Sequence, residues 1–227
     1  VVCAGRLETR RAEGKLDRLV ERLAGHGLHG SYGVAHTRWA THGKPTERNA
    51  HPVVDSKNRI AIIHNGIIEN FLAIKRRLLA EGWTFSTDTD TEVIANLVSS
   101  YYDGDLAAAV KRAVGELEGM YACALIGTES AEEEIVAVRQ GTPLVLGIGS
   151  GESFLASDPA ALISHTRDVI FLDNGDIARL TRAQIEIWDR SGAAVKRPVT
   201  RLNWDPQQVE KGGYKHFMLK EIFEQAE

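Results

Sequence analysis

Gly119 divides this chain into two kinds of pattern, and that division constrains the fold more than any other feature. After it come short apolar runs, Met120–Ile126, Ile135–Val138, Leu144–Ile148, Val169–Leu172, Ile177–Leu180 and Ile185–Trp188, separated by Gly, Asn and Asp. Such runs suit strands. Before it, Ile67, Phe71, Ile74 and Leu78 are spaced 4, 3 and 4 apart with Gly82 beyond them. Val93, Ile94, Leu97, Val98 and Tyr101 follow Asp90-Thr91, and Leu106, Val110, Ala113 and Leu117 form a third stripe. This periodicity predicts three helices. Strands and helices are gathered rather than alternating, which predicts α+β layers with antiparallel pairing over a doubly wound parallel sheet.

The smaller segments carry their own expectations. Leu16, Leu19, Val20 and Leu23, followed by Gly25 and Gly27, predict a short amphipathic helix closed by a glycine cap. Residues 31 to 43, with Tyr32, Val34, Thr37 and Trp39 among histidines, predict a strand running into the Gly43-Lys44-Pro45 loop. Ile60-Ala61-Ile62-Ile63 predicts a buried strand ending in a tight turn at His64-Asn65-Gly66, with a helix following at once. Asn174-Gly175 between two strand-like runs is a hairpin signal, and Gly147 to Gly151 reads as a bend between strands. The simplest division is one domain over residues 1–205 and a tail over 206–227.

Composition excludes several classes of function. The 227 residues carry 31 acidic and 27 basic side chains, a net charge of −4, which argues against a nucleic-acid partner bound through a basic face. Apolar stretches such as Ile60–Ile63 and Leu144–Ile148 fall far short of the roughly 20 residues a membrane helix needs. The two cysteines, Cys3 and Cys123, do not form a disulfide framework, so a cytoplasmic location is expected. Val1-Val2-Cys3 has neither an initiator methionine nor a secretory signal, which suggests a fragment or a processed product.

Five of the 8 histidines lie between His26 and His51, yet their spacing matches no common metal-ligand motif, so neither a metal nor another cofactor is expected. Three polar stretches are harder to read as scaffold: His36 to Gly43, His64-Asn65-Gly66 and Thr87 to Glu92. Arg38 offers a planar fork for a carboxylate, and Asp90 can accept from an ammonium group. Together they would recognise a free amino acid. The Asn65 side-chain NH2 and the Gly66 backbone N–H suit the stabilisation of an oxyanion in acyl transfer. Each also has a plainer reading: a structural Arg38–Asp90 salt bridge, a simple turn at Asn65-Gly66, or a helix cap at Asp90.

Taken together, these stretches resemble the N-terminal-nucleophile glutaminase domain of class II amidotransferases. His36 to Gly43 is similar to that family's glutamine loop, Asn49-Ala50-His51-Pro52 follows it as in the family, and His64 to Asn70 resembles its oxyanion segment. Thr89-Asp90-Thr91-Glu92, Ala156-Ser157-Asp158 and Asn174-Gly175-Asp176 resemble later blocks. The tail Lys211 to Ile222 resembles a segment leading towards a sugar-phosphate isomerase domain. The resemblance implies a four-layer αββα sandwich, here without its N-terminal strand, that hydrolyses L-glutamine to L-glutamate and ammonia for a sugar-phosphate acceptor.

Carried onto this sequence, it implies that Arg38 holds the α-carboxylate, Asp90 the α-amino group, and Asn65 with Gly66 the oxyanion. Trp39, Thr41 and His42 would belong to a loop that closes over the substrate. The implied partners are an isomerase domain of the same polypeptide and a second subunit in a homodimer. The family's nucleophile is an N-terminal cysteine, and Cys3 does not match its context. The chain as written is therefore expected to be inactive, and a non-catalytic amino-acid-binding or interaction module is the alternative.

Overall fold

The computed structural model describes residues 1–203 together with Met218 and Ile222. The chain opens with two short strands, β1 (Val2–Cys3) and β2 (Arg6–Leu7), and helix α1 (Leu16–Gly25). It then runs to β3 (Val53–Val54) and the long β4 (Ile60–Ile68) with only a 3-10 turn at Glu47–Asn49 between. Three helices follow, α2 (Phe71–Ala80), α3 (Asp90–Tyr101) and α4 (Leu106–Val114). Eight strands complete the described chain: β5 (Gly119–Gly127), β6 (Glu134–Gln140), β7 (Val145–Ile148), β8 (Ser153–Ala156), β9 (Asp168–Phe171), β10 (Ile177–Thr181), β11 (Ile185–Trp188) and β12 (Val199–Arg201). The gathering of helices before Gly119 and strands after it is therefore real.

The strands form a six-stranded sheet of order β11-β10-β6-β5-β4-β3 and a four-stranded sheet of order β12-β9-β7-β8, every pairing antiparallel. Side chains alternate across each strand, so one strand feeds two cores. From β5, Tyr121, Cys123 and Leu125 join Ile60, Ile62, Leu78, Leu97 and Leu106 in the core beneath the helices. Ala122 joins Leu144, Leu146, Ile170, Leu172 and Leu180 in the core between the sheets. Val145 and Val169 face the other way, against Leu162 of a 3-10 turn at Pro159–Leu162 and Leu202. The result is an α+β sandwich of helices, sheet, sheet and a thin outer cover. Each large side chain fully buried in it contributes about 1.5–3 kcal/mol.

Several local expectations are corrected. β4 does not turn at His64-Asn65-Gly66 but stays in register with β5 through Ile68, with Gly66 opposite Tyr121. Gly66 makes this possible, because at φ +117° a Cβ there would lie 2.0 Å from the Met120 carbonyl oxygen. Ile67 is thus an exposed strand residue and α2 starts only at Phe71. Residues 31 to 43 form no strand: Tyr32 and Val34 pack on Val2, Ala61 and Ile126, so the segment is anchored by side chains rather than by a ladder.

Asn174-Gly175 closes no hairpin, since β9 and β10 lie in different sheets. The turn is tied instead to β6, with Gly175 N–H donating to the Arg139 carbonyl and Asn174 Oδ1 accepting from Gly141 N–H. Buried Asp176 accepts two bonds from Arg197, at 2.8 and 2.7 Å. α1 ends on His26 at φ −147° rather than on a left-handed glycine, and α4 stops at Val114, short of Leu117. Gly147 to Gly151 does lie in the β7–β8 connection. The boundary at residue 205 and, Met218 and Ile222 apart, the tail motif lie outside the described residues. No helix among the described residues is long and apolar enough to cross a membrane.

Candidate active site

A recess of about 110 Å³ is lined by Arg38, Trp39, Thr41, His51, His64, Asn65, Gly66, Thr89, Asp90 and Thr91. Six of the seven predicted site residues meet there, and the seventh, His42, lies 3.9 Å from Asp90 through its Nδ1. Two secondary structures build the floor. β4 carries His64, Asn65 and Gly66, and the start of α3 carries Asp90 and Thr91.

The local sequence explains the helix start. Thr89 is the N-cap, its side chain accepting from Glu92 N–H at 3.3 Å, so the capping role falls to Thr89 and not to Asp90. The buried Glu92 carboxylate accepts from Ser86 N–H at 2.7 Å and Thr87 N–H at 2.6 Å, pinning the preceding loop to the helix. Asp90 is buried in the first turn, where the helix dipole favours a negative charge. Its Oδ2 accepts from Ile68 N–H at 3.0 Å, which ties α3 to β4 across the site. Arg38 and Asp90 line the same recess without forming an ion pair among the described residues.

The loop side is different. Trp39 is 90% exposed and Thr41 is exposed. Arg38 donates to the carbonyls of Lys44 at 3.3 Å, Gly43 at 3.2 Å and His42, so its guanidinium folds the loop around itself. Burial lowers its pKa and Asp90 opposes the shift. Nε–H and one Nη1–H remain without a partner among the described residues. His42 packs edge-on against Phe71 at 5.0 Å between ring centres, and its buried Nδ1 has no hydrogen bond.

Sequence reasoning named the stretches containing His36, His51, His64 and Thr91 but gave these residues no role. Here they form one hydrogen-bonded cluster running from Asn65 Oδ1 to His64. Burial drives every ring towards its neutral form: His51 is lowered to about 2, His64 to about 4, and His36 is lowered as well. A signal lay in the pattern itself, since His36 and His64 open two of the predicted site stretches and His51 lies in the Asn49–Pro52 block that follows the first. Among the described residues no group of His, Cys, Asp and Glu is arranged to hold a metal ion.

The recess unites a carboxylate, a guanidinium and an amide around a glycine N–H, the groups suited to an amino acid and its amide chemistry. The sequence profile described as "Glutamine amidotransferase domain" matches residues 36–164, more than half of the chain. The chain belongs to the glutamine amidotransferase domain family. It is 48% identical over 221 residues to the glutamine–fructose-6-phosphate aminotransferase [isomerizing] of Aquifex aeolicus, covering 97% of this chain and 37% of that protein. To the enzyme of the same description from Gloeobacter violaceus it is 50% identical over 221 residues, 96% of this chain and 36% of the relative. The chain thus spans little more than a third of these relatives.

Among solved structures, glutamine phosphoribosylpyrophosphate amidotransferase from B. subtilis matches with a TM-score of 0.58 at 24% identity, over 70% of this chain and 35% of that one. A structure described as the allosteric regulatory enzyme of purine biosynthesis matches at 0.57, also at 24% identity, over 68% and 34%. Both likenesses concern the fold alone, an α+β sandwich shared over about two thirds of this chain.

Proposed function

We propose that the chain is the glutamine-handling domain of a glutamine–fructose-6-phosphate aminotransferase. The intact enzyme hydrolyses L-glutamine to L-glutamate and ammonia, and the ammonia aminates fructose 6-phosphate to glucosamine 6-phosphate. The observation that carries this reading is the recess joining Arg38, Asn65, Gly66 and Asp90. Its volume suits a small metabolite rather than a large ligand. Arg38 holds the α-carboxylate through its remaining N–H groups, and Asp90 accepts from the α-ammonium group. The Asn65 NH2 and the Gly66 N–H stabilise the oxyanion that forms when the γ-amide is attacked. Trp39, Thr41 and His42 close over the bound substrate and keep water from the ammonia released, which protonation would make unreactive.

Attack on an amide carbonyl requires a nucleophile, and neither cysteine lines the recess. Cys123 is fully buried and burial raises its pKa, while Cys3 is paired with Arg6 in β1. Residues 1–227 alone therefore bind the amino acid without turning it over, and the attacking thiolate belongs to another part of the polypeptide. The length of the relatives beyond the matched part leaves room for an isomerase domain of the same polypeptide. A second subunit in a homodimer is the further partner expected of such an enzyme.

Calorimetric titration with L-glutamate tests the site. Arg38→Ala and Asp90→Ala each remove a charged hydrogen-bond partner, and affinity is expected to fall about 10- to 100-fold in each. Unchanged affinity in both variants would sink the assignment. Cys3→Ala and Cys123→Ala are expected to leave the glutaminase activity of the intact gene product in place, and its loss in either would relocate the nucleophile.

A further inference from the structure

The cluster behind the recess has a direction that can be worked out group by group. Asn65 Oδ1 lies 2.8 Å from His36 Nε2, and because a carbonyl oxygen only accepts, His36 carries its proton on Nε2. A neutral imidazole has one N–H, so His36 Nδ1 accepts, and its neighbour at 3.1 Å, His51 Nδ1, donates. His51 Nε2 is then bare and accepts the hydroxyl proton of Thr91 at 2.9 Å. Thr91 Oγ1, its single proton already given, accepts from His64 Nδ1 at 3.0 Å. The chain ends on His64 Nε2, a buried nitrogen with no partner among the described residues.

The reverse direction fits the same distances, but it differs at both ends. At the far end it leaves a buried, unpaired N–H on His64 in place of a bare lone pair, and orphaned buried N–H groups are the rarer case. At the near end it turns the Asn65 amide over, so that the oxygen, not the NH2 group, faces away from His36. The two faces of a carboxamide are nearly the same shape, so hydrogen-bond partners alone decide which is presented. A protonated His36 would put N–H against N–H at His51, a protonated His51 would take away the acceptor of the Thr91 proton, and a protonated His64 would leave a buried N–H without a partner among the described residues. Burial guards against that: His51 and His64 are held neutral down to about 2 and about 4.

We propose that His36, His51, Thr91 and His64 are positioning residues forming a one-way hydrogen-bond relay that holds the Asn65 amide with its NH2 group turned towards the oxyanion. The relay rests on the reading of Asn65 as an oxyanion donor. It also gives the three histidines a role that calls for neither metal binding nor charge. Their work is to read out one tautomer across the floor of the recess.

Long-range proton–nitrogen correlation spectra of the protein at pH 7 report each tautomer directly. The expected result is N–H on His36 Nε2, His51 Nδ1 and His64 Nδ1, and the opposite set or a charged ring overturns the relay. Thr91→Val removes the hydroxyl at nearly constant shape. It is expected to mix the His36 and His51 tautomers and to lower kcat for glutamine hydrolysis by the intact gene product about tenfold, the equivalent of one hydrogen bond, with KM unchanged. Thr91→Ser restores both. Asn65→Ala is expected to lower kcat about 100- to 1,000-fold, and Thr91→Val added to it costs nothing further. If Asn65→Ala leaves kcat intact, the oxyanion reading itself fails. If it lowers kcat while Thr91→Val does not, only the relay is overturned.

Discussion

Helix α3 buries every residue from Asp90 to Ser99, whereas α1, of similar length, buries none. Yet α1 has the cleaner amphipathic stripe in its sequence, while α3 buries polar residues too, Asn96 and Ser99 as well as those of its first turn. Amphipathicity announces that a helix has a face to bury and says nothing about what will bury it. The same contrast runs through the candidate site. Asn65, Gly66, Asp90 and Thr91 sit on β4 and α3, where ladder, cap and core over-determine their positions. Arg38, Trp39, Thr41 and His42 sit on a loop held by Arg38's bonds to its own carbonyls. The floor is preorganised and the roof is adjustable, the arrangement expected where a substrate must enter and then be enclosed.

The sharpest way to break this comparison is at the floor. Gly66→Ala puts a Cβ 2.0 Å from the Met120 carbonyl oxygen at φ +117°, which the β4–β5 ladder cannot accommodate. A loss on the order of 4 kcal/mol or more in urea unfolding is expected, with glutamate binding abolished. A variant of near wild-type stability would show that this edge of the floor is as adjustable as the roof.

The second test is pH. His51 and His64 are buried neutral, their pKa values lowered mainly by burial to about 2 and about 4 from the ordinary 6.5. Arg38 and Arg11 push His51 in the same direction, while Asp90 pulls His64 back. The unfolded chain therefore binds protons that the folded one refuses, and stability present above pH 6.5 is lost as pH falls. Between pH 7 and pH 5 the two rings together are expected to cost about 4 kcal/mol, at roughly 1.4 kcal/mol per unit for each. Parallel urea melts at the two pH values measure it. Equal stability at both would mean that the floor admits water or charge.

Leu97→Ala, under α3, is a smaller and purely apolar version of the same question. Leu97 is fully buried, so a loss of about 3 kcal/mol is expected for the transferred surface and the cavity left behind. A loss below 1 kcal/mol would mean that α3 is less tightly held than its burial implies.

How much of this was legible beforehand follows the same division. The helices α2 to α4 and the strands β5, β6, β7, β9, β10 and β11 were readable because their side-chain periods, 3.6 and 2, are local consequences of burial, whereas the short β8 and β12 carried no such run. Arg38, Asp90, Asn65 and Gly66 were singled out for chemistry that suits an amino acid, and the structure brings them into one recess. What depended on distant partners was not readable. Gly66 looked like a turn because glycine permits one, but here it admits the Met120 carbonyl against a continuous strand. Asn174-Gly175 looked like a hairpin because nothing local reveals that its two strands enter different sheets. The histidine relay was hidden for the same reason, as it joins residues 36, 51, 64 and 91 through tautomers that no spacing encodes.

The smallest effect belongs to α1, and it is the one that most directly sharpens the opening contrast. Leu16 and Val20 are 59% and 57% exposed, while Leu19 and Leu23 on the same helix are half-buried. Leu16→Ser and Val20→Ser lose little burial, and Ser is only slightly poorer than Leu as a helix former. Each is therefore expected to change unfolding free energy by no more than about 0.5 kcal/mol. Leu19→Ser, by removing a contact α1 does make, is expected to cost roughly 1 kcal/mol. Should Leu16→Ser or Val20→Ser cost as much as Leu97→Ala, the stripe of α1 is covered in solution by something that buries it as fully as β4 buries α3. The difference between the two helices would then be one of partner and not of kind.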